Sequence, residues 1–338
     1  MKRWLVCLIV AYMPSVWAFE CKTLVRETKQ KQATAEAGKP ADQSALGDFL
    51  DARFGRYEEN FGVIGRMKNN GWAKDDDVAI RGHFSLAFKF CEGESSRIFF
   101  SYTTEFDFYA GSRTSDPVIN RLNNPAFHWR LCDDCKQSTY NNAYIDIGLE
   151  HRSNGQAVEV TSGTGPSDAQ TAYDVRNREF FDAISRGSNY LSFTNYQRVI
   201  RDSSYLRTRV KLYLTKASQV NWGPLANSNV SIADYDRVNL LYRQRIPLLG
   251  WDTMAEAEWT VGDKGFKTDS LTVGWYVNAT VPLYVRAHFG PMDTLSNFTQ
   301  RQDGIWIGVR FDWERESIKT TSMFDLASAH AAPSSQGK

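Results

Sequence analysis

Phe100-Ser101-Tyr102-Thr103-Thr104-Glu105-Phe106-Asp107-Phe108 is a strand written out in side chains. Successive residues of a strand point to opposite faces. One face here carries Phe100, Tyr102, Thr104, Phe106 and Phe108, and the other Ser101, Thr103, Glu105 and Asp107. The same two-residue alternation recurs along the chain. Phe84, Leu86, Phe88 and Phe90 share a face. Leu206, Val210, Leu212 and Leu214 stand opposite Arg207, Arg209 and Lys211. Leu271, Val273, Trp275 and Val277 form another stripe, as do Ile305, Ile307, Val309, Phe311 and Trp313.

A soluble sandwich alternates in the same way, with one face buried and one wet. Strand number and length separate the two architectures. Twelve runs start near residues 58, 80, 97, 124, 142, 188, 205, 235, 253, 267, 281 and 303. Many have about ten residues, the length of a tilted membrane strand. The connectors tend to alternate long and short, as the two ends of a membrane barrel require. Long ones follow the first, third, fifth and seventh strands, and Asp263–Phe266 is a short exception. The expected fold is all-β, a twelve-stranded antiparallel transmembrane β-barrel of the outer membrane.

Bulk properties agree. The 338 residues carry a formal net charge of +1, which gives no general attraction to nucleic acid. Aromatics make up 13% of the chain. Mean hydropathy is −0.45, too polar for a helical membrane protein. A barrel with a polar lumen and aromatic rims has this composition.

Lys2 and Arg3, the apolar run Trp4–Tyr12 and the small-residue site Val16-Trp17-Ala18 read as a secretory signal over residues 1–18. Residues 19–55 are rich in Lys, Gln, Ala and Glu and read as a periplasmic N-terminal extension. The barrel is expected over 56–313, and a disordered tail over 314–338. Cys7 leaves with the signal. The four remaining cysteines, Cys21, Cys91, Cys132 and Cys135, all fall on the periplasmic side of the expected topology. An even number in an exported chain implies disulfides. Cys132 pairs with Cys135, or both cross-pair with Cys21 and Cys91.

The chemistry lies in His151-Arg152-Ser153-Asn154-Gly155, which follows the strand-like run Ala143–Glu150. Ile145, Ile147, Leu149, His151 and Ser153 share one face, so a nucleophile and a base continue an apolar stripe. Their backbones are roughly 6–7 Å apart, a gap an imidazole can bridge. A third group must orient the imidazole. A carboxylate on a lipid face is costly, so a neutral amide suits better. The next strand opens Ser188-Asn189-Tyr190-Leu191-Ser192-Phe193 and places Asn189 on the face of Leu191 and Phe193. Asn195 and Asn177 are rivals for this role. His83, His128, His288 and His330 read as lumen, surface or tail residues without chemistry.

His-x-Ser-Asn-Gly at a strand end, followed by Ser185-Arg186-Gly187-Ser188-Asn189, resembles outer-membrane phospholipase A over roughly residues 58–313. The resemblance implies a twelve-stranded barrel that hydrolyses acyl ester bonds of glycerophospholipids at the A1 and A2 positions. It implies Ser153 as nucleophile, His151 as base, Asn189 as orienting residue and the amide of Gly155 in the oxyanion site. It further implies Ca2+ as cofactor, with Ser115, Gln156 (through its carbonyl) and Ser185 as ligands. Such enzymes act as homodimers on membrane phospholipid, with the active site facing the outer leaflet. The segment 157–184 is longer than the family's corresponding connection. Two other readings remain at this stage: a catalytically inactive porin-like barrel, its pore lined by Arg207, Arg209, Lys211, Arg243 and Arg245, and a lipid A deacylase.

Overall fold

The computed structural model describes residues 53–69, 77–109, 118–132, 135, 143–154, 186–200, 203–214, 231–248, 251–278, 281–295 and 298–311. The signal segment, almost all of 19–55 and the tail lie outside them, as do the candidate residues Ser115, Gly155, Gln156 and Ser185. The strands are β1 (Phe54–Gly55), β2 (Asn60–Asn69), β3 (Asp77–Glu92), β4 (Ser96–Phe108), β5 (Val118–Cys132), β6 (Tyr144–Ser153) and β7 (Gly187–Ile200). They continue with β8 (Ser204–Tyr213), β9 (Val238–Leu248), β10 (Trp251–Gly262), β11 (Gly265–Asn278), β12 (Leu283–Phe289) and β13 (Gln302–Phe311).

From β2 to β13 each strand pairs antiparallel with its neighbour in sequence, and β13 pairs with β2. The result is a closed twelve-stranded antiparallel barrel, as expected. Closure leaves no unpaired sheet edge. The end where β6 finishes is called upper here, and the end where the chain enters at β1 is called lower.

The faces sort as the alternation predicts. Outward positions include Phe84, Leu86, Phe127, Ile145, Leu149, Phe193, Ile305 and Ile307, all exposed. Inward positions are polar and buried, including Arg81, Ser101, Asp107, Asp146, Glu150, Arg209, Arg243 and Arg310. An apolar wall around a charged interior is the arrangement lipid demands.

The interior is packed with paired charges. The Arg81 guanidinium donates to Asp107 at 2.6 and 2.9 Å and to Asp293 at 2.9 and 2.8 Å. Its face rests 4.9 Å from the centre of the Trp306 ring. Trp306 is wholly buried, and its ring lies where a Cβ on Gly65 would stand only 2.3 Å away, so position 65 needs glycine.

β1 is an unexpected element. Phe54 pairs with Phe88 and Phe61 with His83, seven positions on one strand against five on β3. The two extra residues make 56–59 bulge inward. Arg209 donates to Glu58 at 3.0 Å and to the Tyr57 hydroxyl at 3.0 Å, and Arg310 pairs with Glu59 at 3.3 Å. The bulge fills the lower lumen. At the upper end Ile232, Met292, Leu295 and Phe298 form an apolar cap across the mouth. Between bulge and cap lies a chamber of about 200 Å³ whose lining includes Glu58, Arg207, Glu258 and Asp236.

At the lower rim Cys132 is bonded to Cys135, the first of the two pairings the sequence left open. Their amides donate to the carbonyls of Ser95 and Glu94 at 3.1 and 2.7 Å, which ties the end of β5 to the β3–β4 turn. Cys91 is also in a disulfide.

Asp293, in the loop between β12 and β13, shows how the cap is held. Burial works against its charge, but Arg81, His288 and Arg286 outweigh burial and hold its carboxyl below the ordinary range. A carboxyl depressed in the folded state contributes stability that is present above its unfolded value, about pH 3.9. That contribution is lost as pH falls through the folded value. Asp293→Asn is therefore expected to cost about 3 kcal/mol at pH 7, the scale for breaking a buried ion pair. Thermal melts in detergent should show the variant melting lower at pH 7, with the difference shrinking below about pH 4. Equal melting temperatures at pH 7 would remove Asp293 from the cap's support.

Candidate active site

β6 ends with His151, Arg152 and Ser153, and β7 begins with Gly187, Ser188 and Asn189. The ladder sets His151 opposite Asn189 and Ser153 opposite Gly187. All four positions are on the outward face. Ile145, Leu149 and Phe193 continue that face toward the lower end, each exposed. The polar pair thus crowns an apolar wall at its rim.

His151 Nδ1 lies 2.8 Å from Asn189 Oδ1. An amide oxygen can only accept, so Nδ1 carries the hydrogen and donates. In the neutral ring with this tautomer Nε2 keeps its lone pair, the state a general base needs. The Asn189 carbonyl accepts from the Leu214 amide at 2.9 Å, so the chain just past β8 steadies Asn189. Asn195 pairs instead with Ile145, far down the wall from His151. Asn177 lies outside the described residues.

A Cβ built on Gly187 would stand 3.3 Å from Ser153 Cβ and 3.7 Å from His151 Cε1. The Ser153 and His151 side chains therefore border one space, and glycine at 187 keeps it open.

On the other side of Ser153 stands Asn123 of β5. Its Oδ1 accepts from the Tyr102 hydroxyl at 2.6 Å. These two outward polar residues extend the patch beyond what the sequence marked. Only strand pairing brings them beside Ser153.

Beyond Ser153 the chain is clamped. The Asn154 amide donates to the Arg186 carbonyl at 2.9 Å, and the Arg186 amide donates to Asn154 Oδ1 at 2.8 Å. Asn154 is buried. Asn154 and Arg186 are thereby fixed to each other, directly beside Ser153 and Gly187. In the sequence Gln156 comes two residues after Asn154, and Ser185 one before Arg186.

A serine–histidine–carboxylate chain, distinct from the exterior site, lies inside the barrel. Ser101 Oγ is 2.8 Å from His128 Nε2, and His128 Nδ1 is 2.8 Å from Asp146 Oδ1. All three are buried. The imidazole stacks on Phe99 and meets a tilted Tyr57, with ring centres 4.7 and 4.4 Å away. Asp146 is shared with Arg130 Nε at 2.9 Å. None of the three lines the lumen chamber. Buried in this way, the three side chains satisfy one another's polar groups.

No protein-family model matches the chain, and no curated protein does. Solved structures do. The chain is similar to outer membrane phospholipase A from Escherichia coli with a TM-score of 0.54 at 16% identity, over 76% of this chain and 93% of that one. An active-site mutant of the same E. coli protein, with asparagine replaced by alanine, gives a TM-score of 0.53 at 16% identity, over 76% and 91%. The Salmonella typhi outer membrane phospholipase, a dimer with bound calcium, gives a TM-score of 0.53 at 16% identity, again over 76% and 91%. With twelve antiparallel strands closed in sequence order, the chain has the fold of outer membrane phospholipase A.

Proposed function

We propose that this protein is a phospholipase A of a bacterial outer membrane, and that Ser153, His151 and Asn189 carry its reaction on the barrel exterior. The observation that carries the reading is the 2.8 Å hydrogen bond from His151 to Asn189 on a lipid-type face, beside Ser153. That one similar structure is an asparagine active-site mutant adds support.

The proposed chemistry is acyl transfer through the serine. Ser153 Oγ attacks the acyl carbonyl carbon while His151 Nε2 takes the hydroxyl proton. The ester C–O bond breaks, and His151 returns the proton to the departing lysophospholipid oxygen. Water, deprotonated by the same imidazole, then cleaves the acyl-enzyme and restores the Ser153 hydroxyl. The Gly155 amide would donate to the developing oxyanion. Acyl chains of the substrate lie along Leu149 and Phe193 below the reacting carbonyl. The reading includes both A1 and A2 positions.

Calcium fits the residues proposed for it. Serine hydroxyls and a backbone carbonyl are hard oxygen donors of the kind this ion takes. In the sequence Gln156 and Ser185 follow and precede the clamped pair Asn154 and Arg186 by two residues and one. Ser115 would complete the set from the partner of a homodimer, as the calcium-bound dimer among the similar structures suggests. When bound, calcium supplies positive charge to the carbonyl oxygen as it becomes anionic.

The porin reading loses its footing in the lumen, where Arg207 pairs with Glu258, Arg209 with Glu58 and Arg243 with Glu256. Bulge and cap narrow the lumen on either side of a small chamber.

The test is acyl release from mixed phospholipid micelles by refolded protein. Release should fall at least ~100-fold on chelation, the scale of removing oxyanion stabilisation, and return when calcium is restored. Release that survives the chelator would leave the triad standing and remove the calcium ligands.

A further inference from the structure

Arg152 lies between the base and the nucleophile in the chain, and its side chain points the other way, into the lumen. Its Nη1 donates to Asp236 Oδ2 at 3.1 Å. The same oxygen accepts from Lys211 Nζ at 2.7 Å and from the Tyr213 hydroxyl at 3.2 Å. Asp236 is 2% exposed.

Asp236 is itself firmly placed. It follows the 3-10 turn Ile232–Asp234, and its amide donates to the Ile232 carbonyl at 2.8 Å. On its other side Arg237 donates its amide to the Val261 carbonyl at 2.9 Å and accepts from the Lys211 amide at 2.9 Å. Ile232 is packed into the apolar cap with Met292, Leu295 and Phe298. The carboxylate is thus a fixed point on the inner side of the upper rim.

A separate observation shows why the strand end needs one. β6 pairs with β7 without a gap through residues 151–153. Its ladder to β5 is open there, between Ala126↔Glu150 and Asn123↔Ser153. Pro125 falls opposite His151 in that gap, and proline has no N–H to give a ladder. His151 and Arg152 therefore lie in a gap of the β5 ladder, while Ser153 at its end is paired again with Asn123.

We infer that Arg152, anchored on Asp236, is a positioning residue that fixes His151 and Ser153 from inside the barrel. It touches no substrate. It replaces, through a buried ion pair, the backbone support that Pro125 removes. By this link the loop 231–237 sets the geometry of a site on the opposite face of the wall. The inference deepens the phospholipase reading and rests on it for its kinetic effects. The anchoring itself is a statement about the strand end.

The test compares wild type with Arg152→Met, Arg152→Lys, Asp236→Asn and the double variant Arg152→Met/Asp236→Asn. Each is refolded in detergent and compared by its heat-dependent gel migration. Two quantities are read, the kinetics of acyl release and the amide hydrogen exchange of residues 151–153. Arg152→Met and Asp236→Asn should each lower kcat roughly 10- to 100-fold, the penalty of a misplaced reacting group. KM should stay within about twofold, because substrate contacts remain. Arg152→Lys should recover most of the rate, and the double variant should fall no further than Arg152→Met, as two partners in one interaction do. Exchange at 151–153 should quicken in both single variants while 145–149 stays protected.

Wild-type kcat in Arg152→Met overturns the inference. So does a double variant whose loss is the product of the single losses. If wild type releases no acyl chain, the phospholipase reading fails and exchange alone decides. Faster exchange then supports the anchor, and unchanged exchange overturns it. Asp236→Asn keeps an acceptor for Arg152 and Lys211, and so guards against a variant lost to misfolding.

Discussion

Ser153→Ala is expected to yield a folded barrel whose acyl release falls roughly 10⁴-fold or more, the scale for deleting the nucleophile of a serine triad. The substitution removes one oxygen from an outward, half-buried position at the rim, so strand pairing and the lumen charges are untouched. Among the described residues the nearby Tyr102 hydroxyl is committed to Asn123. Asn154 and Asn189 carry amides, and Ser188 is buried on the inward face. A fluorophosphonate probe, which marks activated serines, should label wild type at Ser153 and leave the variant unlabelled. Labelling at Ser101 would show that the inner relay is the reactive one and would sink the exterior site. Undiminished release by Ser153→Ala would remove the triad altogether.

The second large effect is expected at Gly187, which takes no part in bond making. A valine there projects its methyl groups into the space that Ser153 and His151 border. Proton transfer needs the hydroxyl and imidazole at hydrogen-bond distance, and a methyl between them prevents it. Gly187→Val should reduce kcat/KM by about 100-fold or more. Valine favours strands, so the barrel should fold. Gly187→Ala is expected to be intermediate, since its Cβ would press on Ser153 Cβ at 3.3 Å without extending further. The same probe should label both variants more slowly than wild type. A Gly187→Val variant with wild-type kinetics would mean that Ser153 and His151 do not react across that space.

The twelve barrel strands were legible in the sequence because the signal is local. Inward and outward residues alternate along every strand, so Phe84–Phe90 or Ile305–Phe311 need no partner to be recognised. The facing of His151 and Asn189 was legible too, since consecutive antiparallel strands from one hairpin are neighbours. What escaped was everything made by distant contacts. Residues 56–59 give no sign in the sequence that they bulge inward, because their reason is Arg209, 151 positions beyond Glu58. The inner relay joins Ser101, His128 and Asp146 from three strands, and its polar residues look like any other lumen positions. In the sequence Arg152 is only the spacer in His-x-Ser, because its partner Asp236 lies 84 positions on.

The placement of His151 and Ser153 in the last three residues of β6, and of Asn189 in the first three of β7, has a wider consequence. Lower on this wall a polar side chain would face hydrocarbon, where it is expensive to keep. Inside, it would meet charges already committed to one another. A protein of this shape has a single habitable zone for reactive groups, the narrow circle of strand ends where interfacial water begins. New activities on such a scaffold would have to arise by exchanging residues around that circle, with the cylinder beneath left as it is.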